Sequence, residues 1–218
     1  VLEDFSEHQI DPGLKGLPVT KAQAGDINND FSQDIILSRP VNAKRPELAE
    51  FGRVEIYDGA EAFQNKTKQL SVITPYQSIL APYAFAEDFD GDGQRDLVTA
   101  GFSGARSTNV NLQNLEIKAW SSSNDGTNWS EEFTFHPFED IDIMVHQQGN
   151  HGHPVKNLQD TQVSVAMADM NLDNFQDIAI TYAIEGGLRV VVLDGAALSL
   201  QHQTGRFEGG YFPDQNVL

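Results

Sequence analysis

Three short stretches of the chain place Asp and Asn side chains at one repeated spacing. Each fits the pattern D-x-[DN]-x-D-x-x-x-D-[IL], and the three begin at Asp26, Asp88 and Asp169. A tight loop of this kind can turn the side-chain oxygens of positions 1, 3, 5 and 9, and the carbonyl oxygen of position 7, toward one point. Carboxylates packed this closely repel one another unless a cation lies between them. We therefore predict three cation-binding loops, called loops 1, 2 and 3.

The predicted ligands are side chains at positions 1, 3, 5 and 9 and the main-chain carbonyl at position 7. They are Asp26, Asn28, Asp30, Ser32 and Asp34 in loop 1; Asp88, Asp90, Asp92, Gln94 and Asp96 in loop 2; and Asp169, Asn171, Asp173, Phe175 and Asp177 in loop 3.

The chemistry of these ligands favours calcium, with one ion in each loop. Ca²⁺ takes about six to eight oxygen ligands at roughly 2.3–2.6 Å, whereas Mg²⁺ prefers octahedral sites that retain several waters. An EF-hand begins with a similar pattern but requires Glu at position 12. That position holds Leu37, Thr99 and Ile180 here, so the EF-hand interpretation fails.

The three loops are not expected to bind equally well. Position 6 is the sharp turn, where a positive φ is easiest for glycine. Loop 2 has Gly93 there, loop 3 has Asn174, and loop 1 has Phe31. Loop 2 also carries the most carboxylates, so we predict the tightest binding in loop 2 and the weakest in loop 1.

The segments around the loops predict β-strands and little helix. Each loop is followed by a short apolar run, then by an alternating segment that ends in Asp58-Gly59, Asp194-Gly195 or the 124–126 turn. Alternation closed by Asp-Gly is typical of a strand entering a tight turn. Residues 58–63 could form at most a turn or two of helix.

These elements predict an all-β fold built from one repeated unit. Each unit reads as four antiparallel strands, which is the composition of a β-propeller blade. The predicted blades span residues 17–75, 80–138 and 161–212 within a single propeller region covering 1–218, with an insertion at 141–160. Three blades leave a ring open, so we expect the remaining blades to come from a longer chain or a partner chain.

The composition of the chain disfavours some classes of binding partner. The formal net charge is −18, which disfavours nucleic acid because phosphates would be repelled. No apolar stretch is long enough to span a membrane. Cysteine is absent, so disulfides cannot stabilise the fold and thiolates cannot bind a metal ion. The start at Val1 has no signal-peptide pattern, and we expect a processed or partial product.

The loops resemble the FG-GAP and VCBS repeats of the integrin α-subunit propeller and of many secreted bacterial proteins. The resemblance covers about residues 17–212 and implies calcium-stabilised blades in a ring of about seven. The Gly-Ala-Pro that often follows the loop strand in integrins is replaced by 38–40 (SRP), 100–102 (AGF) and 182–184 (YAI), and the preceding Phe-Gly is missing. The bacterial branch is therefore the better match, and integrin-type ligand binding is not transferred.

Other candidate residues lie outside the loops. The insertion contains His146, His151 and His153, which could bind a transition metal or form a polar surface loop. Asn65 and Asn128 each begin a glycosylation sequon.

Three functional hypotheses follow. The leading one is an extracellular, periplasmic or cell-surface calcium-binding module that uses its propeller face to bind a protein or glycan in adhesion or scaffolding. The alternatives are the propeller part of a secreted carbohydrate-active enzyme, a lyase or hydrolase, and a structural subunit of a cell-surface assembly. Fold alone does not separate them. Millimolar external calcium fills weak sites that cytosolic calcium leaves empty, which favours a location outside the cytosol.

Overall fold

The fold of the described part of the chain is all-β. A computed structural model describes residues 21–41, 51–62, 68–89, 91–122, 126–138, 158–159, 162–184 and 187–204. Among these residues there is no helix with the length and hydropathy needed to cross a bilayer.

The strands and helices follow one another in a regular order. In chain order they are β1 (Lys21–Gly25), β2 (Asp34–Arg39), β3 (Arg53–Tyr57), α1 (Gly59–Ala62), β4 (Gln69–Ile73), β5 (Tyr83–Glu87), β6 (Asp96–Phe102), β7 (Asn109–Val110), a 3₁₀-helix (Leu112–Asn114), β8 (Leu115–Ser122), β9 (Trp129–Phe135), β10 (Leu158–Gln159), β11 (Val163–Ala168), β12 (Asp177–Ile184), β13 (Gly187–Leu193) and α2 (Gly195–Thr204).

The strands form four antiparallel sheets, none of which is closed within the described residues. Sheet 1 has the order β1-β2-β3-β4, sheet 2 the order β5-β6-β8-β9, and sheet 3 the order β11-β12-β13. The fourth sheet is a two-stranded ribbon of β7 and β10. Neighbouring strands pair antiparallel throughout sheets 1 to 3, and they follow one another along the chain except in sheet 2, where β7 lies between β6 and β8.

The core consists of two hydrophobic clusters, one on each face of sheet 2. One cluster joins sheet 1 to sheet 2 and includes Ile36 and Val54 from sheet 1 with Ala86 and Leu97 from sheet 2. The other cluster joins sheet 2 to sheet 3. Sheet 2 is therefore packed on both faces, and every residue of β6 is buried. Strands buried on both faces need apolar or small residues at nearly every position, which β6 provides (DLVTAGF).

Sheet 1 carries a buried ionic cluster on the face that points away from sheet 2. Glu55 is fully buried and receives hydrogen bonds from both arginines of the β2–β3 pair. Arg39 Nε donates to Oε2 at 2.7 Å and Arg53 Nε donates to Oε1 at 2.6 Å. The Tyr57 hydroxyl donates to Oε2 at 3.0 Å. Two cations and one hydroxyl thus satisfy this carboxylate away from water.

The expectation that the Asp-Gly pairs at 58–59 and 194–195 close tight turns was wrong. Asp58 and Asp194 do not close tight turns but cap helices: Asp58 Oδ1 accepts from Glu61 N–H at 3.0 Å and Asp194 Oδ1 from Ala197 N–H at 3.1 Å. α1 has four residues, within the turn or two expected, but α2 has ten. Its apolar residues do not follow a helical spacing, so periodicity gave no signal for α2.

Candidate metal loops

Each acidic loop connects the first two strands of a sheet. Loop 1 joins β1 to β2, loop 2 joins β5 to β6, and loop 3 joins β11 to β12, with the position-9 aspartate as the first residue of the second strand. Loops 2 and 3 lie side by side: a Cβ added to Gly91 would lie 3.6 Å from the Phe175 ring. The fold thus places equivalent loops at equivalent places on successive sheets.

The position-1 aspartate organises each loop by accepting main-chain hydrogen bonds. In loop 1, Asp26 accepts from Asp30 N–H at 3.1 Å and from Phe31 N–H at 3.0 Å. Asp169 makes the equivalent bonds to Asp173 at 3.1 Å and Asn174 at 3.0 Å.

In loop 2, Asp88 accepts from Gly91 N–H at 2.8 Å and from Gly93 N–H at 3.0 Å. The carboxylate at position 1 is therefore directed into the concave side of all three loops.

The side-chain oxygens at positions 3 and 5 of loops 1 and 3 are also turned into the loop, where they accept main-chain hydrogen bonds. Asn28 Oδ1 and Asn171 Oδ1 each accept from the position-5 N–H, at 3.1 and 3.0 Å. Asp30 Oδ1 accepts from Ser32 N–H at 2.8 Å.

The position-5 carboxylates of loops 2 and 3 make the same bond to position 7. Asp92 Oδ1 accepts from Gln94 N–H at 2.7 Å, and Asp173 Oδ1 accepts from Phe175 N–H at 2.9 Å. Asp90, at position 3 of loop 2, lies outside the described residues.

The position-9 aspartates are buried and clamp the ends of the loops. Asp34 Oδ2, Asp96 Oδ2 and Asp177 Oδ2 accept from the position-2 N–H at 3.0, 3.0 and 2.9 Å. In loops 1 and 3 the other oxygen accepts from the glycine of the Asp-Gly pair, Gly59 or Gly195, at 2.9 Å in both cases.

The recurrent glycine of the Asp-Gly pair has a steric reason. A Cβ at Gly59 would collide with the carbonyl oxygen of Gln33, and a Cβ at Gly195 would collide with that of Gln176. Both carbonyls belong to position 8 of a loop, so the Asp-Gly pair anchors the loop to the end of the third strand. The recurrence of Asp-Gly at this place is the sequence signal of the anchor, although the dipeptide itself is more typical of a tight turn.

Burial raises the pKa of Asp34, although hydrogen bonds from Gly59 and Ile27 act in the opposite direction. A raised pKa means that the folded chain holds this proton more readily than the unfolded chain. The contribution of Asp34 to the free energy of unfolding therefore falls as the pH rises from its ordinary value through the raised value. A cation beside the carboxylate would offset this loss by favouring the charged form.

The donor set fits a hard cation. A carboxylate or amide oxygen has two lone pairs, so one main-chain hydrogen bond leaves a second lone pair for a metal ion. Within the described ranges no group of three or more His, Asp or Glu side chains is arranged to hold a metal ion. A site in loop 1 or loop 3 would therefore need the Asn28 or Asn171 oxygen and a main-chain carbonyl in addition to carboxylates.

Each loop needs two residues in the left-handed backbone region. Position 6 is one of them, with φ of 69° at Phe31, 86° at Gly93 and 74° at Asn174. Position 4 is the second left-handed position, with φ of 57° at Asn29, 80° at Gly91 and 65° at Leu172. The residue types at position 4 did not predict this conformation. Only loop 2 has glycine at both positions. Phe31 and Leu172 adopt a conformation that is unfavourable for their side chains.

Replacing Phe31 by Gly is expected to raise the free energy of unfolding by about 1 kcal/mol, because the left-handed strain is removed. Packing should not be lost, since Phe31 is 99% exposed. Phe31→Ala is the control, because alanine keeps a Cβ and therefore the strain. Urea unfolding of both variants in EGTA measures the difference. Equal stabilities of the two variants would contradict the assignment of strain to this position.

The remaining sequence candidates are only partly within the described residues. His146, His151, His153 and Asn65 lie outside them. Asn128 is exposed beside the start of β9, where its Nδ2 lies 3.1 Å from Thr127 Oγ1.

Comparison of the chain with protein-family models, with curated proteins and with solved structures found no match.

Proposed function

We propose that this chain is a calcium-binding β-propeller module that works outside the cytosol as an adhesive or scaffolding unit. One Ca²⁺ ion would bind in each loop, held by the residues at positions 1, 3, 5 and 9 and the carbonyl at position 7. The single observation that carries the proposal is the repeated network of main-chain N–H groups that turns the loop oxygens inward.

The network supports calcium because it arranges the ligands before the ion binds. A loop whose side chains are already oriented loses less conformational entropy on binding. This pre-orientation does not remove the repulsion among the carboxylates of one loop, which a divalent cation would relieve.

The propeller assignment is supported by the way in which the sheets stack. Sheets 1 and 2 each have four antiparallel strands, and sheet 2 is packed between sheets 1 and 3. Successive four-stranded sheets packed face to face, each with the same loop at the same place, are the arrangement expected of neighbouring blades. The likeness to FG-GAP and VCBS repeats is part of this proposal.

The expected energetic role of calcium is stabilisation of the fold. With about 1 mM Ca²⁺ and a dissociation constant of about 10⁻⁴ M, each occupied loop contributes about 1.4 kcal/mol, and three loops about 4 kcal/mol. This is a large share of the net stability of a typical domain, about 5–15 kcal/mol. Such weak sites would be empty at cytosolic calcium concentrations.

Thermal unfolding with and without calcium tests the proposal. Calcium is expected to raise the Tm by about 10 °C over the value in EGTA. Asp92→Ala should reduce this rise, because it removes a loop 2 ligand, while Glu132→Ala, an exposed carboxylate on β9, should not. Magnesium and sodium chloride at matched ionic strength control for screening of the net charge of −18. An equal rise with these salts, or no rise with calcium, would contradict the proposal.

A further inference from the structure

A cleft of about 260 Å³ lies at the end of sheet 2 that is remote from loop 2. It is formed where the chain leaves β6 after Phe102 and passes through β7 and the 3₁₀-helix before it enters β8. Loop 2 precedes the first residue of β6, so the length of this seven-residue strand, roughly 20 Å, separates the cleft from the loop. The cleft is therefore a feature of the fold that is distinct from the candidate metal loops.

Main-chain hydrogen bonds fix the segment 103–114, which forms the cleft. Ser103 N–H donates to the carbonyl oxygen of Asn114 at 2.8 Å and so joins the two ends of the segment. Ile79 N–H donates to the carbonyl oxygen of Ala105 at 3.0 Å, which attaches the segment to the β4–β5 connection. A cleft that is held in this way loses little conformational entropy when a ligand binds.

The walls of the cleft combine apolar side chains with amides and one arginine. The residues that bear on ligand binding are Phe102, Arg106, Asn109, Val110, Asn111 and Asn114. Among the described residues that line the cleft there is no Asp or Glu, although the chain contains 32 of them. The cleft thus lacks the negative charge that dominates the rest of the chain, and it suits a negatively charged ligand.

Two of the three asparagines have amide groups that are available to a ligand. Asn109 Oδ1 accepts from Gln159 Nε2, while Asn109 Nδ2 makes no hydrogen bond within the described chain. The Asn114 side chain makes none within the same residues. Asn111 differs, because its Oδ1 caps the 3₁₀-helix by accepting from Gln113 N–H at 3.1 Å. An amide both donates and accepts, so Asn109 and Asn114 can bind hydroxyl groups of a ligand.

Arg106 has no carboxylate partner among the described residues. Five other cations do lie 2.6–3.0 Å from a carboxylate, namely Arg39, Arg53, Lys68, Arg95 and Lys118. Arg106 instead lies over the ring of Phe51, with its Cζ atom 5.6 Å from the ring centroid. This cation–π contact orients the guanidinium group without using its N–H donors. Two parallel N–H groups of a guanidinium match the two oxygens of a carboxylate.

We propose that this cleft binds one uronate unit of an acidic glycan. The sugar carboxylate pairs with the Arg106 guanidinium, and the ring hydroxyls exchange hydrogen bonds with the amides of Asn109 and Asn114. The cleft is smaller than the roughly 300–1,000 Å³ of pockets for drug-sized ligands, so it holds one sugar ring and not an oligosaccharide. A single guanidinium matches the single charge of a carboxylate. The inference does not rest on calcium binding in the loops.

Saturation-transfer NMR of the isolated 218-residue chain tests the proposal. The probes are the methyl glycosides of glucuronate and galacturonate, and the neutral controls are the methyl glycosides of glucose and galactose. The measurement is made in EGTA, below the Tm in that buffer, so that calcium cannot bridge the sugar carboxylate to the acidic loops. At least one uronide should bind, and its neutral counterpart should bind at least about tenfold more weakly, because it lacks the charged acceptor.

Two arginine variants assign the binding to the cleft. Arg106→Gln should weaken uronide binding at least about tenfold. Arg95→Gln is the matched control, because Arg95 is also exposed but pairs with Glu87 at the other end of β6 and should not affect binding. Arg106→Gln should keep the Tm of the parent chain, since Arg106 is exposed and makes no ion pair with the described residues, so a loss of binding cannot be ascribed to misfolding.

Four results would overturn the proposal. They are the absence of saturation transfer to both uronides, equal binding of a uronide and its neutral counterpart, unchanged binding in Arg106→Gln, and displacement of the uronide by an equal concentration of acetate. The last result would reduce the cleft to a simple anion site. Uronide binding in EGTA by a chain whose Tm does not rise with calcium would retain this inference and reject calcium binding.

Discussion

Replacement of Asp177 by Ala is expected to lower the free energy of unfolding by about 3 kcal/mol in EGTA, and by more in calcium, because the variant also loses a proposed ligand of loop 3. Asp177 is fully buried and accepts from Met170 N–H and Gly195 N–H, both at 2.9 Å. Removing the carboxylate leaves these two donors without their acceptor, and an unsatisfied buried donor costs about 1–3 kcal/mol. Urea unfolding with and without calcium measures the effect.

Two further variants distinguish the hydrogen-bonding role of Asp177 from calcium binding in loop 3. Asp177→Asn keeps one acceptor oxygen but turns an amide N–H₂ toward the other donor, so we expect an intermediate loss. Asp173→Ala removes a more exposed loop carboxylate, and its loss should appear mainly in calcium. If Asp177→Ala were as stable as the parent chain in EGTA, the two main-chain hydrogen bonds of Asp177 would not stabilise the fold, and this prediction would be wrong.

Replacement of Glu55 by Gln is expected to destabilise the chain by about 3–5 kcal/mol, because it removes the charge that two buried arginines share. The carboxylate lies 2.7 Å from Arg39 Nε and 2.6 Å from Arg53 Nε. Both guanidinium groups are almost fully buried, so water cannot replace the lost carboxylate without a rearrangement of the face. Thermal and urea unfolding in EGTA measure the effect without a contribution from calcium.

Glu116→Gln is the matched control for this cluster. Glu116 Oε2 lies 3.9 Å from Lys118 Nζ in a looser pair on β8. A pair of this kind contributes about 0–1 kcal/mol, so its loss should be small. A similar loss in both variants would contradict the view that the Arg39–Glu55–Arg53 cluster is a main source of stability in sheet 1.

The sequence was sufficient to predict the all-β class and the strands beside the loops, because each loop is followed by a β-branched or apolar run. The ionic cluster was not predictable. Glu55 alternates with Val54 and Ile56, a pattern that is typical of a strand with one solvated face. The structure buries both faces of β3, and only the pairing of Arg39 with Arg53 brings the two cations to Glu55.

Backbone conformation in the loops was predictable only in part. Gly93 and Asn174 tolerate a positive φ, so position 6 could be inferred from residue type. Leu172 at position 4 gave no such signal, because leucine rarely adopts this conformation. The anchoring role of Gly59 and Gly195 depends on contacts with residues 33 and 176, which are distant in sequence from the two glycines.

The most direct test of the central claim, that the three loops bind calcium, is calorimetric titration of the metal-stripped chain with CaCl₂. We predict binding of one ion per loop with dissociation constants on the order of 10⁻⁴ M, and the loss of one ion in Asp92→Ala. Titration with no binding heat, and no calcium retained at equilibrium dialysis, would contradict the claim and leave the loops as hydrogen-bonded turns.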